Sequence, residues 1–190
     1  MEDRIKLPFG FNVAPLQADV AKIDRMEIEW TEHFVRSNYE GTWSAIPLMA
    51  AKGATHPIKM LYSDPTIDEY VPTPFLEACD YLKEVIESFK CDLRNCRLMK
   101  LTTGSVIKEH RDHDLGFEKG TIRVHIPVQT NPGVSFYLNS TQVVLNEGTC
   151  WYLKLADLHS VTNTGADRIH LILDMKVNEW LEEQLRTKSN

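Results

Sequence analysis

The chain has 190 residues, 43% of them hydrophobic and 25% charged, which fits one soluble globular domain with a single core. A net charge of −6 gives no support for nucleic-acid binding. No apolar run approaches the roughly 20 residues of a membrane-spanning helix, and the N-terminus lacks the basic-then-apolar order of a secretory signal. We therefore expect a cytoplasmic protein with neither a nucleic-acid nor a membrane partner.

The N-terminal segment predicts mainly helix. Residues 1–15 contain Pro and Gly and are expected to be a lead-in with a short extended piece at Phe11–Val13. From Leu16 to about Asn38, apolar residues recur at steps of three and four, which is the helical period and indicates one helix or two. Trp30 and Phe34 fall on this pattern, so we expect both side chains to pack in the core.

The next segment predicts a strand, an irregular connection and a helix. Residues 39–48 are typical of a turn followed by a strand, in which Tyr39 and Trp43 are expected to pack. Residues 50–73 are rich in Gly, Pro, Asp, Ser and Thr, and a connection of that length is often a lid or a binding loop. The pair Thr73-Pro74 suits the N-cap and first position of a helix. The apolar stripe of this helix consists of Phe75, Cys79, Leu82, Ile86 and Phe89.

After Cys91 the sequence changes to short β-type runs separated by turn-forming residues. The predicted strands are Arg97–Leu101, Val106–His110, Thr121–Gln129, Val134–Leu138, Thr141–Leu145, Thr149–Leu153, Leu158–Val161 and Arg168–Met175, and a helix follows at Val177–Leu185. Short strands at this spacing favour an antiparallel jelly roll. We expect one domain, with a helical support region at 1–92, a jelly-roll core at 93–176 and a C-terminal helix at 177–190.

A dense polar cluster, His110-Arg-Asp-His-Asp114, follows the second of these strands. Side chains at i and i+2 of an extended segment point to the same side, so His110 and Asp112 can bind one metal ion while Arg111 points away. His159 is the candidate third ligand. Two imidazoles and one carboxylate are the facial triad that binds Fe(II) and leaves positions free for substrate and O₂. Taken alone, the cluster also fits a solvated surface turn.

A second polar pair, Arg123 and His125, alternates with Ile122, Val124 and Ile126 on a predicted strand. The pair therefore shares one face, which we expect to line the barrel interior near the metal. A buried arginine needs an anionic partner. That partner is either a protein carboxylate or a carboxylate of a bound organic acid, which a guanidinium binds with two parallel hydrogen bonds.

Arg168 and His170 repeat this arrangement near the end of the chain, with Ile169 and Leu171 on the opposite face of their strand. A permanent cation that faces the barrel interior suits the distal carboxylate of 2-oxoglutarate. His170 either lines the same pocket or is a histidine whose hydrogen bonds are satisfied in the interior.

The four cysteines, Cys79, Cys91, Cys96 and Cys150, form no CxxC pair. We expect free, mostly buried thiols, with a Cys91–Cys96 bridge as the alternative. Zinc binding is not expected because no second ligand pair lies at a suitable spacing.

Several ordered motifs extend over nearly the whole chain. They are Trp30-Thr-Glu-His33, Tyr39-Glu-Gly-Thr-Trp43, Arg97-Leu-Met-Lys-Leu101, His110-Arg-Asp112, Arg123-Val-His125-Ile-Pro-Val128, Gly148-Thr-Cys-Trp-Tyr-Leu153, His159-Ser-Val-Thr-Asn163 and Arg168-Ile-His-Leu-Ile-Leu-Asp174. This ordered set resembles the aspartyl/asparaginyl β-hydroxylase family. The resemblance implies a double-stranded β-helix, that is, a mainly β cupin-like jelly roll with flanking helices, and it implies Fe(II), 2-oxoglutarate and O₂.

The same resemblance assigns roles to individual residues. His110, Asp112 and His159 match the family's metal positions, and Arg168 matches its 2-oxoglutarate arginine. His125 would contact the cosubstrate, and Arg123 would serve either the cosubstrate or a substrate carboxylate.

The sequence also departs from part of the family. The animal enzymes have glycine at the position of Asp112 and carry a repeat domain that is absent here, and a serine that helps hold 2-oxoglutarate in them aligns with Met99. The retained His-x-Asp resembles the branch typified by proline cis-4-hydroxylase. The resemblance thus implies hydroxylation of an unactivated C–H in an amino-acid side chain, with a free amino acid or small metabolite favoured as substrate. The alternatives are β-hydroxylation of an Asp or Asn residue within a peptide or protein, and a non-catalytic cupin that binds a ligand or metal.

Overall fold

Two antiparallel β-sheets form most of the structure, a computed structural model that describes residues 2–26, 28–64 and 66–186. The strands within these ranges are β1 (Arg4–Gly10), β2 (Thr31–Glu32), β3 (Tyr39–Glu40), β4 (Trp43–Ala51), β5 (Tyr70–Pro72), β6 (Leu93–Leu101), β7 (Val106–His110), β8 (Thr121–Gln129), β9 (Val134–Leu138), β10 (Thr141–Gln142), β11 (Thr149–Leu153), β12 (His159–Asn163) and β13 (Arg168–Lys176). The larger sheet has the order β1-β11-β8-β13-β6-β4-β2, with β5 paired to β4, and the smaller sheet has the order β10-β9-β12-β7-β3. This is the predicted double-stranded β-helix.

Helices flank the sheets. Those in the described part of the chain are α1 (Val13–Asp24), α2 (Pro57–Leu61), α3 (Pro74–Glu77), α4 (Asp80–Glu87) and α5 (Glu179–Arg186), with 3₁₀ turns at Arg36–Asn38 and Phe117–Lys119. Among the described residues, no helix combines the length and the apolar composition needed to cross a membrane.

Side chains alternate between the two faces of each strand, and the buried apolar ones form two separate hydrophobic cores. Ile122, Val124 and Ile126 of β8 are fully buried in the larger core, which also contains apolar residues of α1 and α4. Each fully buried side chain of this size contributes roughly 1.5–3 kcal/mol. The smaller core includes residues from both sheets, among them Phe136 and Ile172. Consequently β8 turns Arg123 and His125 away from the helices, as the alternation predicted.

The N-terminal prediction is partly wrong. The extended segment is β1 rather than Phe11–Val13, because Ile5 and Leu7 alternate with exposed residues along an edge strand that pairs with β11. The helical pattern of residues 16–38 ends with α1 at Asp24, and the chain continues into β2 and a 3₁₀ turn. Trp30 packs against the larger core, whereas Phe34 is 42% exposed and is not a core residue.

The helix predicted at Thr73-Pro74 starts there but is interrupted, because Cys79 has an extended backbone between α3 and α4. Thr73 is the N-cap by position, although its hydroxyl donates to the Pro47 carbonyl at 2.7 Å. The start of α4 is capped from α1, since the buried Asp19 carboxylate accepts from the backbone N–H groups of Tyr81 and Leu82 at 2.8 and 2.9 Å. This long-range cap explains the break.

Most predicted strands of the second half are confirmed within three residues, except β6, which begins four residues earlier than predicted. The run predicted at 141–145 ends three residues early: Thr141 and Gln142 form β10, the backbone N–H of Val143 still donates to the Phe136 carbonyl of β9 at 2.8 Å, and residues 144–147 continue without strand pairing. The segment before residue 93 provides β1–β5, so it builds the sheets as well as supporting them. The irregular connection predicted at 50–73 also includes α2 and β5.

The four cysteines are free thiols. Burial raises the pKa of Cys79 to about 11 and that of Cys91 to about 12, so both side chains are protonated and unreactive near neutral pH.

Candidate active site

The three predicted metal ligands converge at one end of the smaller sheet. His110 ends β7 and His159 begins β12, and the two residues are direct partners in the antiparallel register. Asp112 lies two residues beyond His110, where its backbone N–H donates to the Leu155 carbonyl at 2.8 Å. One ligand atom from each of the three side chains lies within 4.8 Å of the others. The sequence prediction therefore corresponds to one cluster in space.

Both imidazoles are oriented by backbone carbonyls. Nδ1 of His110 lies 2.7 Å from the Lys108 carbonyl, and Nδ1 of His159 lies 3.0 Å from the Asp157 carbonyl. A proton on each Nδ1 leaves the Nε2 lone pair free for a metal, which is how ligating histidines are usually held. Burial lowers the pKa of His159, so this imidazole is neutral near pH 7. Two imidazoles that can offer Nε2 and one carboxylate fit Fe(II).

The other polar residues of the cluster lie outside this group. Arg111 points away, as predicted, and its guanidinium donates to the Ala156 carbonyl at 3.1 Å. His113 and Asp114 are exposed.

Arg168 lies on the inner face of β13 and is only 3% exposed. Its Nη2 lies 2.8 Å from Nδ1 of His170, and no carboxylate among the described residues forms an ion pair with it. Nδ1 of His170 also lies 3.4 Å from Nδ1 of His125. Within the described ranges, Nε of Arg168 and Nε2 of both histidines are buried without a hydrogen-bond partner. A dianion such as 2-oxoglutarate fits this group, since it would supply both the missing charge and the missing acceptors.

This arginine is reached through its own cavity. A cavity of about 510 Å³ is lined by Arg168, His170, Phe136 and residues 143–147. The ring of Phe136 is parallel to that of His159, with centroids 6.4 Å apart, so this cavity lies next to the candidate metal cluster.

Arg123 has a different environment from Arg168. Its Nε and Nη2 donate to the two oxygens of Asp174 at 2.6 and 2.9 Å, and its Nη1 donates to Oδ2 of Asp112 at 2.7 Å. Arg97 donates to Asp174 from the opposite side at 3.0 Å. Burial by itself raises the pKa of Asp174, but the two guanidiniums outweigh it and hold that pKa well below its ordinary value. Arg123 thus has the protein carboxylate that the sequence analysis considered as one of its two partners.

A second cavity, of about 530 Å³, opens onto the metal ligands. His110 and Asp112 line it together with Arg123, Arg97 and Asp174. Its remaining wall includes His33, Trp43 and Met99, and its outer part includes the exposed aromatic residues Phe34 and Tyr62. The lid or binding-loop role predicted for 50–73 is consistent with the presence of residues 61–63 in this wall.

His33 and Trp43 stack within this wall, with ring centroids 3.7 Å apart. Burial and then the charges of Arg97 and Arg123 lower the pKa of His33 to about 3, so its imidazole is neutral at pH 7. Trp43 and Tyr39 are buried, which confirms that both pack. Nε1 of Trp43 has no hydrogen-bond partner among the described residues.

Sequence reasoning did not assign roles to Asp174, Arg97 or the His33–Trp43 stack. Alternation along β13 does place Asp174 on the face of Arg168 and His170. The other contacts join residues far apart in the chain, and no local pattern indicated them.

A jelly roll with a His-Asp-His cluster between its sheets and an unpaired interior arginine is the architecture of Fe(II)- and 2-oxoglutarate-dependent oxygenases. A family model described as aspartyl/asparaginyl beta-hydroxylase matches residues 12–177. The chain therefore belongs to this family, as its motifs suggested, and it is a 2-oxoglutarate-dependent hydroxylase. No curated protein sequence matches it significantly.

Solved structures agree with the fold. A Pseudomonas putida prolyl-4-hydroxylase has a TM-score of 0.57 at 12% identity, over 94% of this chain and 95% of that chain. A collagen prolyl hydroxylase of Paramecium bursaria Chlorella virus-1, in a 2-oxoglutarate complex, has a TM-score of 0.56 at 9% identity, over 93% and 97%. A Trichoplax adhaerens prolyl hydroxylase, bound to a hypoxia-inducible-factor peptide, has a TM-score of 0.56 at 12% identity, over 98% and 86%. At these identities the likeness concerns the fold alone.

Proposed function

We propose that the protein hydroxylates an unactivated C–H in an amino-acid side chain, with release of succinate and CO₂, and that its substrate is a free amino acid or a small metabolite. The observation that carries the proposal is the placement of two cavities around one metal cluster. One cavity is lined by Arg168, which has no ion-pair partner in the described ranges, and the other is lined by His110 and Asp112.

In this proposal His110, Asp112 and His159 hold Fe(II), and the inner face of the larger sheet holds 2-oxoglutarate. The bound metal and cosubstrate supply the oxidation: O₂ is reduced, 2-oxoglutarate is oxidised to succinate and CO₂, and one substrate C–H becomes C–OH. Arg168 binds the distal carboxylate, which replaces the anion that the protein does not provide. His125, buried and 3.4 Å from His170, lies beside the cosubstrate with its partnerless Nε2.

The cavity at the metal ligands binds the substrate. On the deep wall the two positive charges of Arg97 and Arg123 are balanced by the carboxylates of Asp174 and Asp112, so this wall suits a substrate that carries both charges, as a free amino acid does. Arg123 contacts either the substrate at this wall or the bound keto acid. The neutral His33 and the Trp43 stacked on it provide an apolar surface that excludes water and orients the target carbon.

A peptide substrate is the second candidate. Phe34 and Tyr62 are 42% and 44% exposed and lie in edge-to-face contact at 6.2 Å beside the cavity. Exposed aromatic rings next to a cavity are the kind of surface that a peptide chain covers. On this alternative the target is an Asp or Asn residue.

The test has two stages. Anaerobic addition of Fe(II) and 2-oxoglutarate to the apoprotein is expected to give the weak visible absorption of a chelated keto acid, absent in His159→Ala and weaker in Arg168→Met. The twenty amino acids are then screened for stimulation of succinate release. No absorption from the folded parent protein would overturn the oxygenase site, and stimulation by no free amino acid would favour the peptide.

A further inference from the structure

Asp174 is a fully buried carboxylate that the hydroxylation chemistry does not use. It is 0% exposed and lies on β13 directly opposite Arg123 of β8 and Asn95 of β6. Residues paired across a sheet project to the same face, so Asp174 and Arg123 meet inside the barrel. A buried carboxylate is tolerated only with compensating partners, and Asp174 has two arginines.

The contacts divide the three nitrogens of the Arg123 guanidinium between two carboxylates. Nε and Nη2 bind Asp174 at 2.6 and 2.9 Å, which leaves Nη1 for Oδ2 of Asp112 at 2.7 Å. Because the guanidinium is planar and rigid, the two bonds to Asp174 fix the direction in which Nη1 donates. The position of Oδ2 of Asp112 is thereby set by Asp174.

The second oxygen of Asp112 remains available. Oδ1 lies 3.6 Å from Nε2 of His110, on the side where the three ligand atoms meet. With Oδ2 occupied by Arg123, Asp112 presents a single oxygen to the metal. Polar groups that orient ligand side chains in this way typically change metal affinity 10–100-fold when they are lost, as an order-of-magnitude figure.

We infer that Asp174 is a positioning residue for the metal centre: it fixes the guanidinium of Arg123, which holds the Asp112 carboxylate with one oxygen turned toward the metal. This inference rests on the proposed function, since it requires that Asp112 bind the metal. Arg97 secures Asp174 at 3.0 Å and donates to Asn95 at 2.6 Å, so the carboxylate is held from both sides.

The experiment measures metal affinity without cosubstrate, by titrating the apoprotein with Co(II) and following its visible absorption. Asp174→Asn places an amide NH₂ against the guanidinium and breaks the two-bond contact. We expect its Kd for Co(II) to rise about 10–100-fold. Asp19→Asn is the matched control, because Asp19 is another buried carboxylate, 2% exposed, that caps α4 far from the metal ligands. The control should lower the melting temperature and leave the Kd for Co(II) at the parent value.

A folded Asp174→Asn protein with the parent Kd would overturn the inference. If that variant does not fold, Arg123→Lys decides, because an ammonium keeps the charge beside Asp174 but lacks the planar two-bond contact that fixes the direction of the bond to Asp112. Its Kd is expected to rise about tenfold, and a parent Kd would again overturn the inference. Failure of the parent protein itself to bind Co(II) is a distinct outcome that would overturn the proposed metal site together with the inference.

Discussion

Arg123 and Arg168 lie on adjacent strands of the same sheet, face the same interior and differ in their partners. Arg123 is enclosed by Asp174 and Asp112. Burial alone lowers its pKa, but the two carboxylates outweigh burial and raise that pKa above its ordinary value. Among the residues that the structure describes, the side chain of Arg168 has one hydrogen bond, to the neutral imidazole of His170, and burial lowers its pKa to about 9. Two arginines on one interior face, Arg123 with 16% of its side chain exposed and Arg168 only 3% exposed, thus have opposite electrostatic environments.

These partners indicate that Arg123 has a structural role, whereas Arg168 is suited to bind an anionic ligand. A buried charge without an anion is unfavourable for folding, so a chain that keeps one has a use for it in the ligand-bound state. Arg123 needs no ligand to be compensated, whereas Arg168 does. The two sites therefore respond differently to substitution, and three predictions test that contrast.

The largest expected difference is in stability without ligands. Arg123→Met leaves Asp174 buried with one partner fewer, and we expect the free energy of unfolding to fall by about 3 kcal/mol. Arg168→Met removes an uncompensated buried charge, so the free energy of unfolding should stay level or rise by about 1 kcal/mol. Urea unfolding of the apoproteins measures both. Equal destabilisation by the two substitutions would contradict the contrast.

The next effect concerns ligand binding. With Mn(II) in place of iron, 2-oxoglutarate at 100 times its Kd should stabilise the parent protein by about 2.7 kcal/mol. Arg168→Met should lose most of this gain, because the distal carboxylate has no cation to bind. Arg25→Met, the same substitution at an exposed arginine that follows α1, serves as the control that retains it. Thermal unfolding with and without 2-oxoglutarate measures this stabilisation. If Arg168→Met is stabilised as much as the parent protein, 2-oxoglutarate does not bind at Arg168.

The third effect is a pH dependence of stability due to His33, which lines the same cavity as Arg123. The pKa of His33 is about 3 in the folded protein and about 6.5 in the unfolded chain, so only the unfolded chain takes up this proton between those values. The contribution of His33 to stability is complete above pH 6.5 and is lost as the pH falls toward 3, with a slope of at most about 1.4 kcal/mol per pH unit. His33→Gln should reduce the slope of the free energy of unfolding against pH, measured by urea unfolding between pH 4 and pH 7. An unchanged slope would show that His33 is not held neutral.

How far the sequence could predict the site depends on how local each contact is. His110 and Asp112 follow from i, i+2 geometry, and the interior face of Arg123 and His125 follows from alternation with fully buried isoleucine and valine. The partner of Arg123 could not be predicted, because Asp174 lies 51 residues away and pairing register between strands is not readable from one sequence.

Prediction of the fold from the sequence was limited in the same way, by contacts between residues far apart in the chain. The strands after Cys91 were predictable because turn residues separate them, whereas residues 28–38 carry apolar residues at helical spacing yet form β2 and a 3₁₀ turn rather than an α-helix. In that segment tertiary pairing of β2 with β4 outweighs local preference. The position of His33 against Trp43 depends on this pairing, so the aromatic wall of the cavity was not predicted.

The two sheets carry different parts of the site. The proposed metal ligands belong to β7, to β12 and to the residues just after β7, while Arg123, His125 and Arg168 belong to the larger sheet. Substitutions in separate strands without shared partners usually act independently. Descendants of this chain could therefore acquire a new organic-acid preference through one sheet and retain their metal through the other. The hydrogen bond from Arg123 to Asp112 joins the two parts of the site. A substitution at either residue would therefore affect metal binding and organic-acid binding together.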